Sequence, residues 1–236
     1  MAETSFPGVE PVGTRLKQRR RQPAHPLIPT YKHEAALLRE GFLSIAGVDE
    51  VGRGPLAGPV VAGAVVLRPE DARRRWWRPV RDSKMLTAAQ REELAGVIRD
   101  RAASFGIGAV GHDGIDRFGI VKATRQAMAI ALKKLPTRPD YLLIDGRERV
   151  DGYRQQAIID GDALVVSIAA ASIVAKVYRD RLMEELDLQY PGWGFGQHKG
   201  YYTPQHIDAL RRLGPSPIHR MSFAPLNQPA LGLDFG

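Results

Sequence analysis

Leu43-Ser44-Ile45-Ala46-Gly47-Val48-Asp49-Glu50-Val51-Gly52-Arg53-Gly54 is the stretch that decides how this chain reads. It opens as an apolar run with the character of a buried strand. Two adjacent carboxylates follow at the carboxyl end, and then a glycine-rich break. Val60-Val61-Ala62-Gly63-Ala64-Val65-Val66-Leu67 comes next, which predicts two consecutive strands joined by a tight turn. Successive strand side chains point to opposite faces, so Asp49 and Glu50 converge only where the strand gives way to the turn.

Working outward, Tyr31 to Leu38 has the apolar spacing of a short helix. Thr87 is placed to cap a helix reaching about Asp100, with Glu92 and Glu93 early and Arg99 late, as the helix dipole favours. Phe105 to Val110 predicts a third strand, and Ile120 to Lys134 a helix that stops before Pro136. Tyr141-Leu142-Leu143-Ile144 reads as a short, fully buried central strand closed by Asp145-Gly146. Gln155 to Ile159 is a further strand, Ile168 to Leu188 a long helix rich in small residues, and Thr203 to Leu213 a helix ended by Gly214-Pro215. This alternation predicts an α/β domain, a central sheet flanked by helices.

The 236 residues, 44% of them hydrophobic, suffice for one large domain. No cysteine is present, so disulfides, thiolate metal sites and a cysteine nucleophile are excluded; a reducing cytoplasm is expected. No apolar run approaches the roughly 20 residues that span a bilayer, and no signal-peptide pattern opens the chain. The expected organisation is a basic arm over 1–30, a catalytic domain over 31–223 and a tail over 224–236. Lys17, Arg19, Arg20 and Arg21 lie in the arm among prolines. A net charge of +8 favours a polyanionic partner, nucleic acid foremost.

Asp145 repeats, at the end of its own strand, what Asp49 and Glu50 do at the end of theirs. Carboxyl ends of strands in open α/β sheets are where ligands usually bind. Acids gathered there repel one another unless a cation neutralises them, and a hard divalent ion with oxygen ligands is the natural solution. An isolated strand-end Asp is more often a turn residue or helix cap; two on one sheet shift that balance. Asp160 and Asp162 both precede the long helix, and spacing does not choose between them.

The motifs together resemble the type 2 ribonuclease H family, in its bacterial ribonuclease HII branch. Gly47 to Val60 is similar to that family's Asp-Glu-x-Gly-Arg-Gly signature with its Ala-Gly-Pro continuation. Asp82-Ser83-Lys84-Met85-Leu86, Ile144-Asp145-Gly146, Gly161-Asp162, Ala169 to Asp180, His198-Lys199-Gly200-Tyr201 and Pro217-Ile218-His219-Arg220 follow in order. The resemblance spans about residues 43–223. It implies a ribonuclease H-like mixed sheet flanked by helices, with a small helical C-terminal part. It also implies four metal-binding carboxylates, Asp49, Glu50, Asp145 and Asp162, the last chosen over Asp160 by its place before the Ala-Ala-Ala-Ser stretch. Mg²⁺ or Mn²⁺ is the implied cofactor.

By the same resemblance Gly52, Arg53 and Gly54 hold a ribonucleotide and sense its 2′-hydroxyl, the group that separates RNA from DNA. Tyr201 packs on the following deoxyribose, and Lys84, Ser172, Lys176 and Arg179 lie at or near phosphates. Lys176 and Arg179, three residues apart on one helix face, are expected to cradle a phosphate, with a Lys176–Asp180 ion pair as the competing reading. His198 and His219 lack partners at zinc-ligand spacing, and His219, next to Arg220, is left to structure or phosphate binding.

The implied chemistry is two-metal hydrolysis of the RNA strand of RNA–DNA hybrids and cutting 5′ of ribonucleotides embedded in duplex DNA, leaving 5′-phosphate and 3′-hydroxyl ends. Such an enzyme would serve ribonucleotide removal during DNA replication and repair. A DNA-directed nuclease on the same scaffold and a non-catalytic nucleic-acid-binding relative are the alternatives; the presence of all four acids argues against the second. Gln228 to Leu233 faintly resembles a sliding-clamp docking motif. A monomer is expected.

Overall fold

The computed structural model describes residues 28–228. The basic run Lys17 to Arg21 and most of the clamp-like segment, residues 229–233, therefore lie outside the described residues. Five strands form one sheet in the order β3-β2-β1-β4-β5: β1 (Ile45–Val51), β2 (Val60–Val66), β3 (Ser104–Val110), β4 (Tyr141–Asp145) and β5 (Arg154–Ile158). The first three pair antiparallel, whereas β4 lies parallel to both β1 and β5. The sheet is thus mixed, and the change from antiparallel to parallel falls at β1–β4.

Two helices sandwich this sheet. α1 (Lys32–Arg39), the short α2 (Asp71–Arg74), α3 (Ala88–Arg101), α4 (His112–Phe118), α5 (Ile120–Lys133), the one-turn α6 (Gly161–Leu164), α7 (Val166–Gln189), the one-turn α8 (Phe195–His198) and α9 (Pro204–Leu213) complete the chain. α5 buries Ala123, Ala127, Met128, Ala131 and Leu132 against Ala46, Val48, Ala62 and Ala64 on one face. α7 covers the other, its Ala-rich stretch 169–171 fully buried. Close packing there requires glycine: a Cβ on Gly47 would stand 2.1 Å from the Ser167 carbonyl carbon, and one on Gly63 2.5 Å from the Ala171 oxygen. Small residues meeting small residues bring the helix backbone onto the sheet and fix where its polar residues emerge. Among the described residues no helix is long and apolar enough to cross a membrane.

Several expected elements stand with small shifts of boundary, and Thr87 caps α3 in a reciprocal capping box with Gln90. The link from β1 to β2 differs from expectation. Val51 pairs with Val61, so residues 52–59 form a broad loop in place of a tight turn. α4 has no counterpart in the sequence pattern, since Gly111, Gly114 and Gly119 interrupt the helical spacing there. Both ends of the described residues pack on the domain. The Thr30 N–H donates to the Leu164 carbonyl at 2.9 Å, and Leu226 is buried against Leu56, Ile207 and Leu210.

Candidate active site

Parallel pairing sets the site. Val48 is level with Ile144, so the next residues, Asp49 and Asp145, stand side by side near the carboxyl ends of adjacent strands about 4.8 Å apart. Asp49, Glu50, Asp145, Ser83, Lys84, Ser172, Lys176 and Tyr201 all line one cleft of about 240 Å³. Asp162, on α6, joins them through two contacts. Its backbone N–H and that of Gly161 point at Asp145 Oδ1, at 3.4 and 2.7 Å, and its Oδ2 accepts from Lys84 Nζ at 2.9 Å.

The electrostatics are those of crowded, under-neutralised acids. Asp49 is only 4% exposed. Burial, then Asp145 and Glu50, push its carboxyl well above the usual carboxylate range, against a hydrogen bond from Ser172. Asp145 is raised by burial and by Asp162, and Glu50 by burial with Arg53 pulling the other way. Glu50 Oε2 is buried and has no hydrogen-bond partner. An all-oxygen donor set with an orphaned carboxylate oxygen and raised acids fits a hard divalent cation. Among the described residues, no three acids or histidines are already gathered into a cage; the acids surround the cleft, each held by its own hydrogen bonds.

The loop after β1 is clamped from beneath by two fully buried arginines. Arg220 donates from Nε to the Gly58 carbonyl at 2.9 Å, from Nη1 to that of Arg53 at 3.0 Å and from Nη2 to that of Gly52 at 2.7 Å. Arg179 donates to the carbonyls of Pro59, Lys199 and Ala57. Gly52 has φ +87°, and a Cβ there would fall 2.2 Å from Arg179 Nε, whereas a Cβ on Gly54 would meet nothing within 4 Å. Only the first glycine is demanded by the protein itself; the second has open space around it. Arg53 turns back to Glu50 at 3.2 Å and Glu148 at 3.0 Å, and Arg125 Nε takes the other Glu148 oxygen at 2.9 Å.

Arg179 does not stand where spacing suggested. Its guanidinium is buried among carbonyls, so it braces the loop and does not share a phosphate with Lys176. Lys176 instead pairs with Asp180 at 2.6 Å. Ser172 Oγ lies 3.0 Å from Ser83 Oγ, linking α7 to the turn that carries Lys84.

Tyr201, 40% exposed, is held by a chain of histidines that sequence reasoning did not join. The Ser216 N–H donates to His219 Nδ1 at 2.8 Å, so the His219 proton sits on Nε2. His219 Nε2 lies 3.0 Å from His206 Nε2, which must then accept, leaving His206 Nδ1–H to donate to the Tyr201 carbonyl at 2.9 Å. Burial holds both rings neutral, lowering His206 to about 4 and, with the neighbouring His206, His219 to about 3. His198 stacks on His206 with centroids 4.2 Å apart. His219 therefore serves structure, one of the roles left open for it, and His198 packs on the same chain of rings. Glu148, three residues beyond Asp145 in the same turn, was detectable in principle; His206 carried no local signal.

The family model described as Ribonuclease HII matches residues 46–226. Similar relatives include proteins named Ribonuclease HII from Dehalococcoides mccartyi, 51% identical over 86% of this chain and 96% of its own length, and from Nitrobacter hamburgensis, 51% identical over 87% and 75%. Among solved structures, ribonuclease H2 from Pyrococcus horikoshii aligns with TM-score 0.64 at 27% identity, covering 78% of this chain and 95% of that one. RNase HII from Archaeoglobus fulgidus, solved as a complex with PCNA, aligns with TM-score 0.65 at 29% identity over 77% and 95%.

Proposed function

This chain belongs to the ribonuclease HII family, and on that premise we propose that its cleft cuts 5′ of ribonucleotides embedded in duplex DNA as well as along RNA–DNA hybrids. It is an endoribonuclease; the position of the cut, the residues and the ion are our reading. The observation that carries it is the juxtaposition of Asp49 and Asp145 on adjacent parallel strands, directly beside a loop whose Gly54 leaves room for a sugar.

Asp49, Glu50, Asp145 and Asp162 would hold Mg²⁺ or Mn²⁺, which when bound supplies activated water and a stabilised leaving oxygen. The remaining work belongs to the chain. Ser172 lines the cleft with Asp49 and is tied to Ser83, and the Gly161 N–H fixes Asp145. Lys84, 77% exposed at its side chain, offers its ammonium to an incoming phosphate at the mouth of the cleft. Because Arg220 occupies the Gly52 and Arg53 carbonyls on the inner side, the loop is rigid where it meets the ribose, and a fixed edge can read a 2′-hydroxyl. Tyr201 presents a half-exposed ring on which a deoxyribose packs, with little room for an added hydroxyl. We extend the reading to a clamp contact through Gln228 to Leu233, supported by the A. fulgidus relative solved with PCNA.

The test pairs two duplexes that differ by one embedded ribonucleotide. Incision only of the ribonucleotide-bearing duplex, on its 5′ side, is expected; equal cutting of the all-DNA twin refutes the reading.

A further inference from the structure

Glu148 is a buried acid, 8% exposed, that follows Asp145 in the same turn but has no place in the metal set. A carboxylate taken out of water needs cations or hydrogen bonds in return. Glu148 has two guanidiniums, with Oε1 accepting from Arg53 Nη1 at 3.0 Å and Oε2 from Arg125 Nε at 2.9 Å.

Its backbone is fixed without help from either arginine. The Gly146 N–H donates to the Ile158 carbonyl at 2.9 Å. At the other end Gln155 accepts from the Val150 N–H at 2.9 Å and donates to the Val150 carbonyl at 2.8 Å, and the Val150 side chain is buried in the core. The turn over 146–150 is thus pinned on both sides of Glu148.

Arg53 is the shared member. The same Nη1 that reaches Glu148 at 3.0 Å reaches Glu50 Oε1 at 3.2 Å. Glu50 therefore has one oxygen engaged by Arg53, while Oε2 is buried with no partner. A guanidinium is a fork that readily takes both oxygens of one carboxylate. If Arg53 closed on Glu50 in that way, it would occupy the oxygen a cation needs. Here Glu148 takes hold of the same nitrogen, and at the shorter distance.

We propose that Glu148 is a positioning residue that draws Arg53 partway off Glu50 and so keeps Glu50 Oε2 available to the divalent cation. This rests on the metal reading above and adds what governs one of its donors. Arg53 then steadies Glu50 through Oε1 without closing over it. Acids and guanidiniums alternate along Glu50, Arg53, Glu148 and Arg125, so removing the Glu148 charge leaves Arg53 with Glu50 as its remaining acid.

The test is Glu148→Gln, which keeps the size of the side chain and one acceptor oxygen, with thermal melting to confirm the fold. Mn²⁺ is titrated into the full chain without nucleic acid, and free ion is followed by electron paramagnetic resonance, so binding is read apart from activity. Glu148→Gln is expected to weaken Mn²⁺ binding about tenfold, the lower end of what changes outside the ligand shell cause. In an Arg53→Gln background the same change should matter within about twofold, because the competitor for Glu50 is gone. Arg125→Gln should keep Mn²⁺ affinity within about twofold, since the pinned turn still presents Glu148 to Arg53. On a single-ribonucleotide duplex the kcat of Glu148→Gln should fall at low Mn²⁺ and return at high Mn²⁺, with KM within about twofold.

Unchanged Mn²⁺ binding by Glu148→Gln overturns the proposal. So does a loss that persists in full without Arg53, or an equal loss in Arg125→Gln, either of which would mark a merely structural role. Mn²⁺ binding that Asp49→Asn leaves intact would instead fault the metal reading itself.

Discussion

Replacing Asp49 with Asn should make the protein more stable and inactive at once. Asn keeps the acceptor that Asp49 Oδ1 offers the Glu50 N–H at 2.7 Å, so geometry is retained and only charge is removed. Two unit charges about 5 Å apart repel by about 3 kcal/mol at an effective dielectric of about 20. Lys84 beside Asp162 and the open side of the cleft reduce this, leaving a gain of about 1–2 kcal/mol, or roughly 2–8 °C in Tm for a chain of this length. The sign with pH follows from the raised carboxyl. The folded protein holds the Asp49 proton more tightly than the unfolded chain does. The penalty is therefore absent below the ordinary carboxylate range and grows as pH rises through the raised folded value. Urea denaturation should show the variant's advantage at pH 8 and none near pH 3.5. Mg²⁺ should stabilise the parent more than the variant, because binding to the native state is linked to its stability. A variant that is less stable at pH 8, or that still incises a ribonucleotide duplex, would refute the argument.

The two glycines of the loop should part company. Gly52→Ala meets both a positive φ and Arg179 and should cost about 2–4 kcal/mol in urea denaturation. Gly54→Ala should leave stability within about 0.5 kcal/mol but raise KM for a ribonucleotide duplex about tenfold, by filling the space beside the sugar. At His206, Asn retains a donor near Nδ1 for Tyr201 while Gln retains reach toward His219. Gln should lose about fivefold more discrimination between a deoxyribose and a ribose after the cut site, about 1 kcal/mol for one hydrogen bond; equal loss by both variants would argue that Tyr201 is not held this way. Both parent histidines are neutral when folded but protonate when unfolded below about pH 6.5. Stability should therefore fall as pH drops from there toward 4, and less steeply in either variant.

Much of this protein was legible in its sequence, because strand and helix patterns are local. Apolar runs marked β1, β2 and β4, Thr87 marked the start of α3, and strand-end acids marked Asp49, Glu50 and Asp145 as neighbours in need of a cation. The ordered motifs then singled out Asp162, which the fold seats beside Asp145 and Lys84. Only the tertiary structure decided what holds the site in shape. Arg220 reaches Gly52 across 168 residues, Arg179 reaches Pro59 across 120, and His206 meets His219 from another element. Helical spacing placed Arg179 on one face with Lys176, yet spacing records direction about an axis and not what packs there. Buried side chains are assigned by the density of the folded interior, which arises from contacts between distant segments. For that reason the chain announced its acids and its charge, and the fold alone settled which arginines serve the loop and which face the solvent.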